Sequence, residues 1–281
     1  MKDVYLITAS FVGEIKRDFR GYVKMAAKAG YAGLELFNCI YGGFGPQELK
    51  NYLASYGMTA ISAHVNVEDT DSQLSYLAEA GCRYVVCPML RVESRDDAYR
   101  KAELLNALGQ KAKAAGLRYA YHNHDNDFDV YDGKTVIDIF LENTDPKLVT
   151  FELDAAWAWR AGVDAADFVN RHAGRFDLIH VKETSRVLGP EDDMHALFAG
   201  AKREPDGRFI LTPEMEAKFK ERQKINCKLG DGIINMPELK KAADAQGVKA
   251  YIVERQLHHH SGRQRISECF GIRRISYENV H

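Results

Sequence analysis

Six short apolar runs in this chain end in side chains spaced by two, most of them able to ligate a metal or move a proton. The pairs are Glu35 and Phe37, His64 and Asn66, His122 and His124, Glu152 and Asp154, His180 and Lys182, and Glu254 and Gln256. Spacing by two puts both members on one face of a strand. His122 and His124 would crowd one another unless a metal or substrate stood between them. Glu152 and Asp154 would repel if both were buried and ionised, unless a cation or a basic partner such as Lys182 stood nearby. Glu254 follows Ala250-Tyr251-Ile252-Val253, so it places a carboxylate at the end of a dry run, which is costly unless paired or metal-bound. His64 alone serves equally well as a hydrogen-bonded wall residue. Mixed carboxylate and imidazole ligands without thiolate suit a hard or borderline divalent ion, manganese best, with magnesium, cobalt or zinc as alternatives. A closed structural zinc site would be richer in cysteine.

Strands must position these residues, and the chain supplies eight candidates: Val4–Thr8, Ala32–Phe37, Thr59–Val65, Tyr84–Leu90, Arg118–His124, Val149–Asp154, Leu178–Lys182 and Lys249–Glu254. Between them lie amphipathic stretches expected to be helical: Asp18–Ala29, Pro46–Tyr56, Ser72–Ala80, Asp96–Ala115, Lys134–Glu142, Ala165–His172 and Met236–Ala245. Several close on a glycine where a helix C-cap belongs, at Gly30, Gly57, Gly81, Gly116, Gly174 and Gly247. Helix, glycine and strand in regular succession predict parallel strands joined by crossover helices. Eight strands close a barrel, and no Gly-x-Gly-x-x-Gly turn follows the first strand to favour a dinucleotide-binding sheet. The fold expected is therefore α/β, a (β/α)8 barrel, with reactive groups at the carboxyl ends of its strands.

Residues 183–235 break the rhythm after the seventh strand, with charged, proline-bearing sequence and a helical look over Pro213–Lys224. A connection this long is read as an insertion or lid over the barrel mouth within a single domain spanning 1–281; a surface excursion is the competing reading. Trp157 and Trp159 follow Asp154 closely and suit sugar stacking and core packing equally. Gly230 and Gly232 form a weak phosphate-loop signal and fit better a tight turn returning the insertion to the barrel. His258, His259 and His260 lie just beyond the eighth strand, within reach of the site or in a solvated loop.

A length of 281 residues suits one barrel, and 46% hydrophobic with 28% charged residues matches an ordinary globular domain with a sizeable core. The net charge of −2, with both signs interspersed, gives no footprint for a phosphate backbone, so nucleic acid is not an expected partner. The five cysteines, Cys39, Cys82, Cys87, Cys227 and Cys269, form no CxxC pair and read as reduced, mostly buried thiols. The first residues read as a strand and no apolar run approaches membrane-spanning length, so the expectation is a cytoplasmic protein without membrane contact.

The strand-end motifs together resemble the xylose isomerase-like TIM barrels, the sugar phosphate isomerases/epimerases. The carriers are Gly30-Tyr31-Ala32-Gly33-Leu34-Glu35-Leu36-Phe37, Tyr121-His122-Asn123-His124-Asp125, Phe151-Glu152-Leu153-Asp154-Ala155-Ala156-Trp157, Ile179-His180-Val181-Lys182-Glu183, Leu229-Gly230-Asp231-Gly232 and Tyr251-Ile252-Val253-Glu254. They cover nearly the whole chain apart from the middle of the insertion. The resemblance implies one divalent ion, manganese foremost, with Asp154, His180 and Glu254 matching the family's ligand types. At the fifth strand His122 stands where many members have glutamate, and His124 remains as the second inward group. That departure weakens a symmetric two-base epimerisation. The sequence is closest in look to inosose dehydratases, keto-sugar hydratases and the large subunits of C-glycoside deglycosidases, which eliminate a β-leaving group.

The resemblance thus implies metal-assisted deprotonation next to a carbonyl of a keto-sugar or sugar-like substrate, leaning to β-elimination. His124 is the first choice of base, with Glu152 and Lys182 as further acid, base or enolate contacts. Glu35 and His64 would hydrogen-bond substrate hydroxyls and Trp157 would supply a stacking wall. A ketose isomerase or epimerase is the alternative within the family. Outside it stands a partner-dependent subunit, inactive alone; a homo-oligomer and a small partner subunit are both open.

Overall fold

A computed structural model of the protein describes residues 3–189, Asp192 and residues 210–254. All six glycines expected behind helices adopt positive φ. At Gly30 (φ 82°) the backbone N–H turns back to carbonyls of the last helical turn, and the chain leaves directly for the next strand. A side chain at that φ would be strained, which is why glycine marks the switch.

Eight strands result: β1 (Val4–Ile7), β2 (Gly33–Phe37), β3 (Thr59–His64), β4 (Tyr84–Cys87), β5 (Arg118–His122), β6 (Val149–Asp154), β7 (Phe176–Val181) and β8 (Ala250–Val253). Each pairs in parallel with its sequence neighbour, and β8 pairs with β1 to close the barrel. Around it run α1 (Val12–Arg17), α2 (Phe19–Ala29), α3 (Pro46–Ala54), α4 (Thr70–Glu79), α5 (Arg95–Ala114), α6 (Val136–Asn143), α7 (Ala155–Arg160), α8 (Ala165–Arg171), α9 (Pro213–Gln223) and α10 (Met236–Ala245).

The period-two pattern divides the apolar residues into two layers. Leu34, Leu36, Tyr119, Tyr121, Phe151, Leu153, Ile179 and Val253 belong to the outer core under the helices. Tyr5, Ile7, Ile61, Tyr84, Val86, Ala120, Leu178, Ala250 and Ile252 plug the bore. Burial of each large side chain stabilises the fold by roughly 1.5–3 kcal/mol. The plug also gives the reactive groups above it a dry floor.

Several strands stop short of their expected ends. β3 ends at His64, and Asn66, expected beside it, is exposed and accepts the Thr70 hydroxyl on its carbonyl. His124, Lys182 and Glu254 lie just past their strands. The helix expected from Lys134 starts at Val136, because Lys134–Thr135 pairs with Val130–Tyr131 as a small ribbon and Thr135 caps the helix through Asp138 N at 3.1 Å. No helix among the described residues is long and apolar enough to cross a membrane. Cys39, Cys82, Cys87 and Cys227 form no disulfide among the described residues, with burial pushing Cys82 and Cys87 up to about 12; Cys269 lies outside the described residues.

Beyond β7 the chain is fastened at three places. Glu183 accepts from Gly230 N (3.3 Å) and Ile234 N (3.2 Å). At Gly232 a Cβ would fall 2.3 Å from both Glu183 Oε1 and the Thr184 carbonyl, so only glycine fits against them. The Gly230–Gly232 segment is thus a tight returning turn, with the Gly230 amide donating to Glu183 and the Asp231 amide to the Lys228 carbonyl. Arg160, buried at the end of α7, donates to Asn226 Oδ1 (2.6 Å) and Thr184 Oγ1 (3.3 Å), beside the Thr184–Asn226 bridge. Arg222 of α9 pairs with Asp125 in the loop after β5.

Candidate metal and catalytic centre

The inward positions at the carboxyl ends of β2, β3, β5, β6, β7 and β8 meet in one polar cluster. Register explains the meeting: His122 lies opposite Glu152, Asp154 opposite His180, and Phe37 opposite His64. Because Glu152 precedes Asp154 by two residues, it sits one inward layer, about 6.5 Å along the strand, below it.

The lower layer is sealed. Glu35 and Glu152 are fully buried and His64 is 4% exposed. Three imidazole nitrogens converge on Glu152 Oε2: His64 Nε2 at 2.8 Å, His122 Nδ1 at 2.9 Å and His180 Nε2 at 3.2 Å. Glu35 Oε2 lies 2.6 Å from His180 Nε2 and 3.2 Å from His64 Nε2, while its Oε1 accepts the Ser62 hydroxyl at 2.5 Å. Glu35 and His64, expected as substrate contacts, turn in this arrangement toward protein partners and not toward the mouth.

The upper layer faces outward. His180 Nδ1 stands 3.1 Å from Glu254 Oε2 and 3.9 Å from Asp154 Oδ2, and His122 Nε2 stands 4.0 Å from that same oxygen. Lys182 Nζ donates to Glu254 Oε1 at 2.8 Å and lies 3.7 Å from Asp154 Oδ2. Asp154 divides its labour. Oδ1 caps α7 by accepting from Trp157 N at 2.9 Å, whereas Oδ2 is buried without a hydrogen-bond partner among the described residues. An orphaned buried carboxylate oxygen is expensive and needs a cation or donor.

Two overlapping quartets could hold a metal ion, each with ligand atoms within 4.8 Å of one another: His122, Asp154, His180 and Glu254 above, and His64, His122, Glu152 and His180 below. The orphaned Asp154 Oδ2 and the mixed oxygen and nitrogen donors of the upper set fit a divalent ion of the manganese type. The upper set is also the one that opens to the mouth, as a catalytic ion requires.

Electrostatics separates the groups. Burial, then the neighbouring His180 and His64, keep His122 well below the usual imidazole range. Burial opposes charge on His180, but Glu152 and Glu35 outweigh it and hold its imidazole well above that range. The same contest raises His64 to about 9. Burial, then Glu35, raise Glu152 to about 7. Burial also works against the Glu254 carboxylate, yet Lys182 and His180 hold it far below the usual range.

His124 lies beyond the end of β5. Its ring stands 5.0 Å from that of His122 and 5.1 Å from that of Trp157, and its Nδ1 is buried without a partner. Burial, then Lys182, push it down to about 3, so the imidazole is unprotonated at neutral pH. Trp157 is half-buried, with Lys182 Nζ 4.6 Å and the Arg160 guanidinium 4.4 Å from its ring; Trp159 packs against the outer core. The tryptophan pair thus divides between site and core. Gln256 and His258–His260 lie outside the described residues.

Sequence reasoning missed four supporting residues. Asn123 bridges the two strand ends, accepting from Asp154 N at 2.9 Å. Asp127 accepts from His124 N and from Tyr121 Oη, both at 2.7 Å, and so fixes the His124 loop. An acidic residue three positions after His124 is a capping spacing and could have flagged Asp127. Arg160 and Arg222 carried no local signal, since their partners lie 24 to 97 residues away.

Residues 23–268 match the family described as the xylose isomerase-like TIM barrel, and the chain belongs to that family. Among curated proteins it is similar to the inosose dehydratase of Geobacillus kaustophilus (strain HTA426), 26% identical over 167 residues, covering 49% of this chain and 54% of the relative. The match thus spans about half the length of that enzyme. Among solved structures, a sugar phosphate isomerase/epimerase from Parabacteroides distasonis superposes with a TM-score of 0.74 at 23% identity, covering 96% of this chain and 95% of the other. The probable 3-DHS dehydratase AsbF from Bacillus anthracis superposes with a TM-score of 0.71 at 14% identity, covering 99% and 100%. At these identities the superpositions establish the fold.

Proposed function

We propose that this protein is a divalent-metal-dependent enzyme that removes a proton next to the carbonyl of a keto-sugar or sugar-like substrate and then expels a β-substituent. The observation that carries the reading is the upper quartet at the barrel mouth, with Asp154 Oδ2 and His124 Nδ1 both buried without a hydrogen-bond partner among the described residues. Family membership and the likeness to an inosose dehydratase support a sugar-modifying lyase.

His122, Asp154, His180 and Glu254 would hold the ion, Mn2+ foremost. When bound, such an ion supplies Lewis acidity to a substrate carbonyl and a neighbouring hydroxyl. His124 takes the proton from the adjacent carbon on its free nitrogen. Lys182, positioned by Glu254, donates a hydrogen bond to the oxygen on which negative charge grows. The electrons released at carbon form the new double bond as the β C–O bond breaks, and the departing oxygen takes up the proton that His124 removed and leaves as water or as the aglycone alcohol. Trp157 lines the site beside Lys182, and α9, whose Arg222 pairs with Asp125, would cover that side of the mouth as a lid.

Incubation of Mn2+-loaded protein with an inosose in deuterium oxide tests the reading. Loss of one water per turnover, abolished in His124→Ala, is the expected result. Recovery of the ketose with deuterium and no loss of water would replace it with isomerase or epimerase chemistry. Turnover only after a second protein is added would make the chain a partner-dependent subunit.

A further inference from the structure

We infer that Glu152 and Glu35 are positioning residues that fix which ring nitrogens of His122 and His180 face the metal. The inference rests on the metal-centre reading above. Each histidine belongs to both quartets, but it meets them with opposite nitrogens. His122 turns Nδ1 to Glu152 (2.9 Å) and Nε2 toward Asp154 (4.0 Å). His180 turns Nε2 to Glu35 (2.6 Å) and Nδ1 toward Glu254 (3.1 Å) and Asp154 (3.9 Å).

A carboxylate accepts, so the nitrogen facing it carries the hydrogen. An ionised Glu152 therefore holds His122 with its hydrogen on Nδ1, leaving the Nε2 lone pair for the mouth. His180 faces carboxylates on both sides, Glu35 at Nε2 and Glu254 at Nδ1, so Glu35 holds the Nε2 hydrogen in place while a metal displaces the one on Nδ1. Each carboxylate also orients the ring it holds, and carboxylate partners behind ligand histidines raise their basicity as metal ligands.

Packing argues against the lower quartet as a second metal seat. Three nitrogens already lie within hydrogen-bonding distance of the single oxygen Glu152 Oε2. An ion there would bind the same nitrogens that the carboxylates need protonated. Seats above and below, filled together, would also demand lone pairs on both nitrogens of His122 and of His180, which a neutral imidazole cannot offer. The lower set is sealed, with no face for substrate. His64 completes this layer by donating to Glu152, and Ser62 holds the other oxygen of Glu35. Glu152 and Glu35 thus act through the histidines and not on the substrate.

The test compares Glu152→Gln, Glu35→Gln and the equally buried control His64→Gln in the full chain, each checked for a folded circular-dichroism spectrum. Mn2+ affinity is read by electron paramagnetic resonance, and the His122 ring tautomer by nitrogen-15 NMR of metal-free, histidine-labelled protein. Both glutamate variants should lose roughly 10- to 100-fold in Mn2+ affinity. His64→Gln should lose less than either. In the wild type His122 should carry its hydrogen on Nδ1, and in Glu152→Gln that preference should weaken. Undiminished affinity with an unchanged tautomer overturns the inference while leaving the metal centre intact. Loss of Mn2+ binding in His64→Gln as great as in the glutamate variants also overturns it, in favour of the lower seat. A wild type that takes up no Mn2+ removes the metal centre itself, and this inference with it.

Discussion

Asp154 and His180 are the proposed ligands most open to test, because each has one atom committed to the protein and another turned to the mouth. Asp154 spends Oδ1 on capping α7 and keeps Oδ2 without a hydrogen-bond partner among the described residues. His180 is held well above the usual imidazole range, since Glu152 and Glu35 outweigh its burial, so it carries two ring hydrogens at neutral pH. Ligation through Nδ1 must release one of them. The sign follows: metal uptake weakens as pH falls and strengthens as pH rises toward the folded-state value of His180. Titration calorimetry with Mn2+ in buffers of different ionisation enthalpy should show net proton release at pH 7, with weaker apparent affinity at pH 6 than at pH 8. Uptake without proton release would place the ion away from His180.

At the scale of elements, the loop after β5 carries the proposed base, and Arg222 of α9 pairs with Asp125 of that loop. Asp127 anchors the His124 backbone, yet burial raises its carboxyl to about 7, above the ordinary aspartate value of 3.8. Between about pH 4 and 7 the folded protein therefore keeps a proton that the unfolded chain gives up. The stability associated with this group is complete below about pH 4 and is lost as pH rises through 7, at about 1.4 kcal/mol per pH unit within the window. Asp127→Asn should flatten the dependence of chemical-denaturation stability on pH between 5 and 7, even though it forfeits an acceptor. A slope identical to the wild type would show that Asp127 does not titrate there.

The Arg222–Asp125 pair is partly solvent-exposed, with side chains 19% and 22% accessible, so its strength is screened. Arg222→Ala should cost no more than about 1 kcal/mol of stability. If α9 is a lid, the same change should raise KM with little effect on kcat and expose residues 210–235 to limited proteolysis. Unchanged KM and proteolysis would reduce α9 to a surface element.

Across the whole molecule, the barrel was legible because its signals are local. Six glycines with positive φ close helices, and period-two alternation sends Tyr121 and Phe151 outward and His122 and Glu152 inward. The four ligands proposed from the family resemblance converge in space for the same reason, since one pleat per strand suffices to place them. Depth was not legible. Whether an inward residue reaches the mouth or the sealed layer depends on barrel stagger, and Glu35 meets His180 across 145 residues. Glu152 and Asp154 look alike in sequence, yet one lies below the histidines and the other beside them. Helix α7 itself was also missed, because six residues ending in Arg160 hold too little periodicity to read.

The most direct test is the metal content of the full chain. Wild-type protein stripped with chelator, dialysed against Mn2+ and analysed for metal should retain close to one ion per chain, and Asp154→Ala and His122→Ala should each retain almost none. A wild type that retains no ion, or an Asp154→Ala protein that holds it as tightly as the wild type, would contradict a metal centre at the barrel mouth.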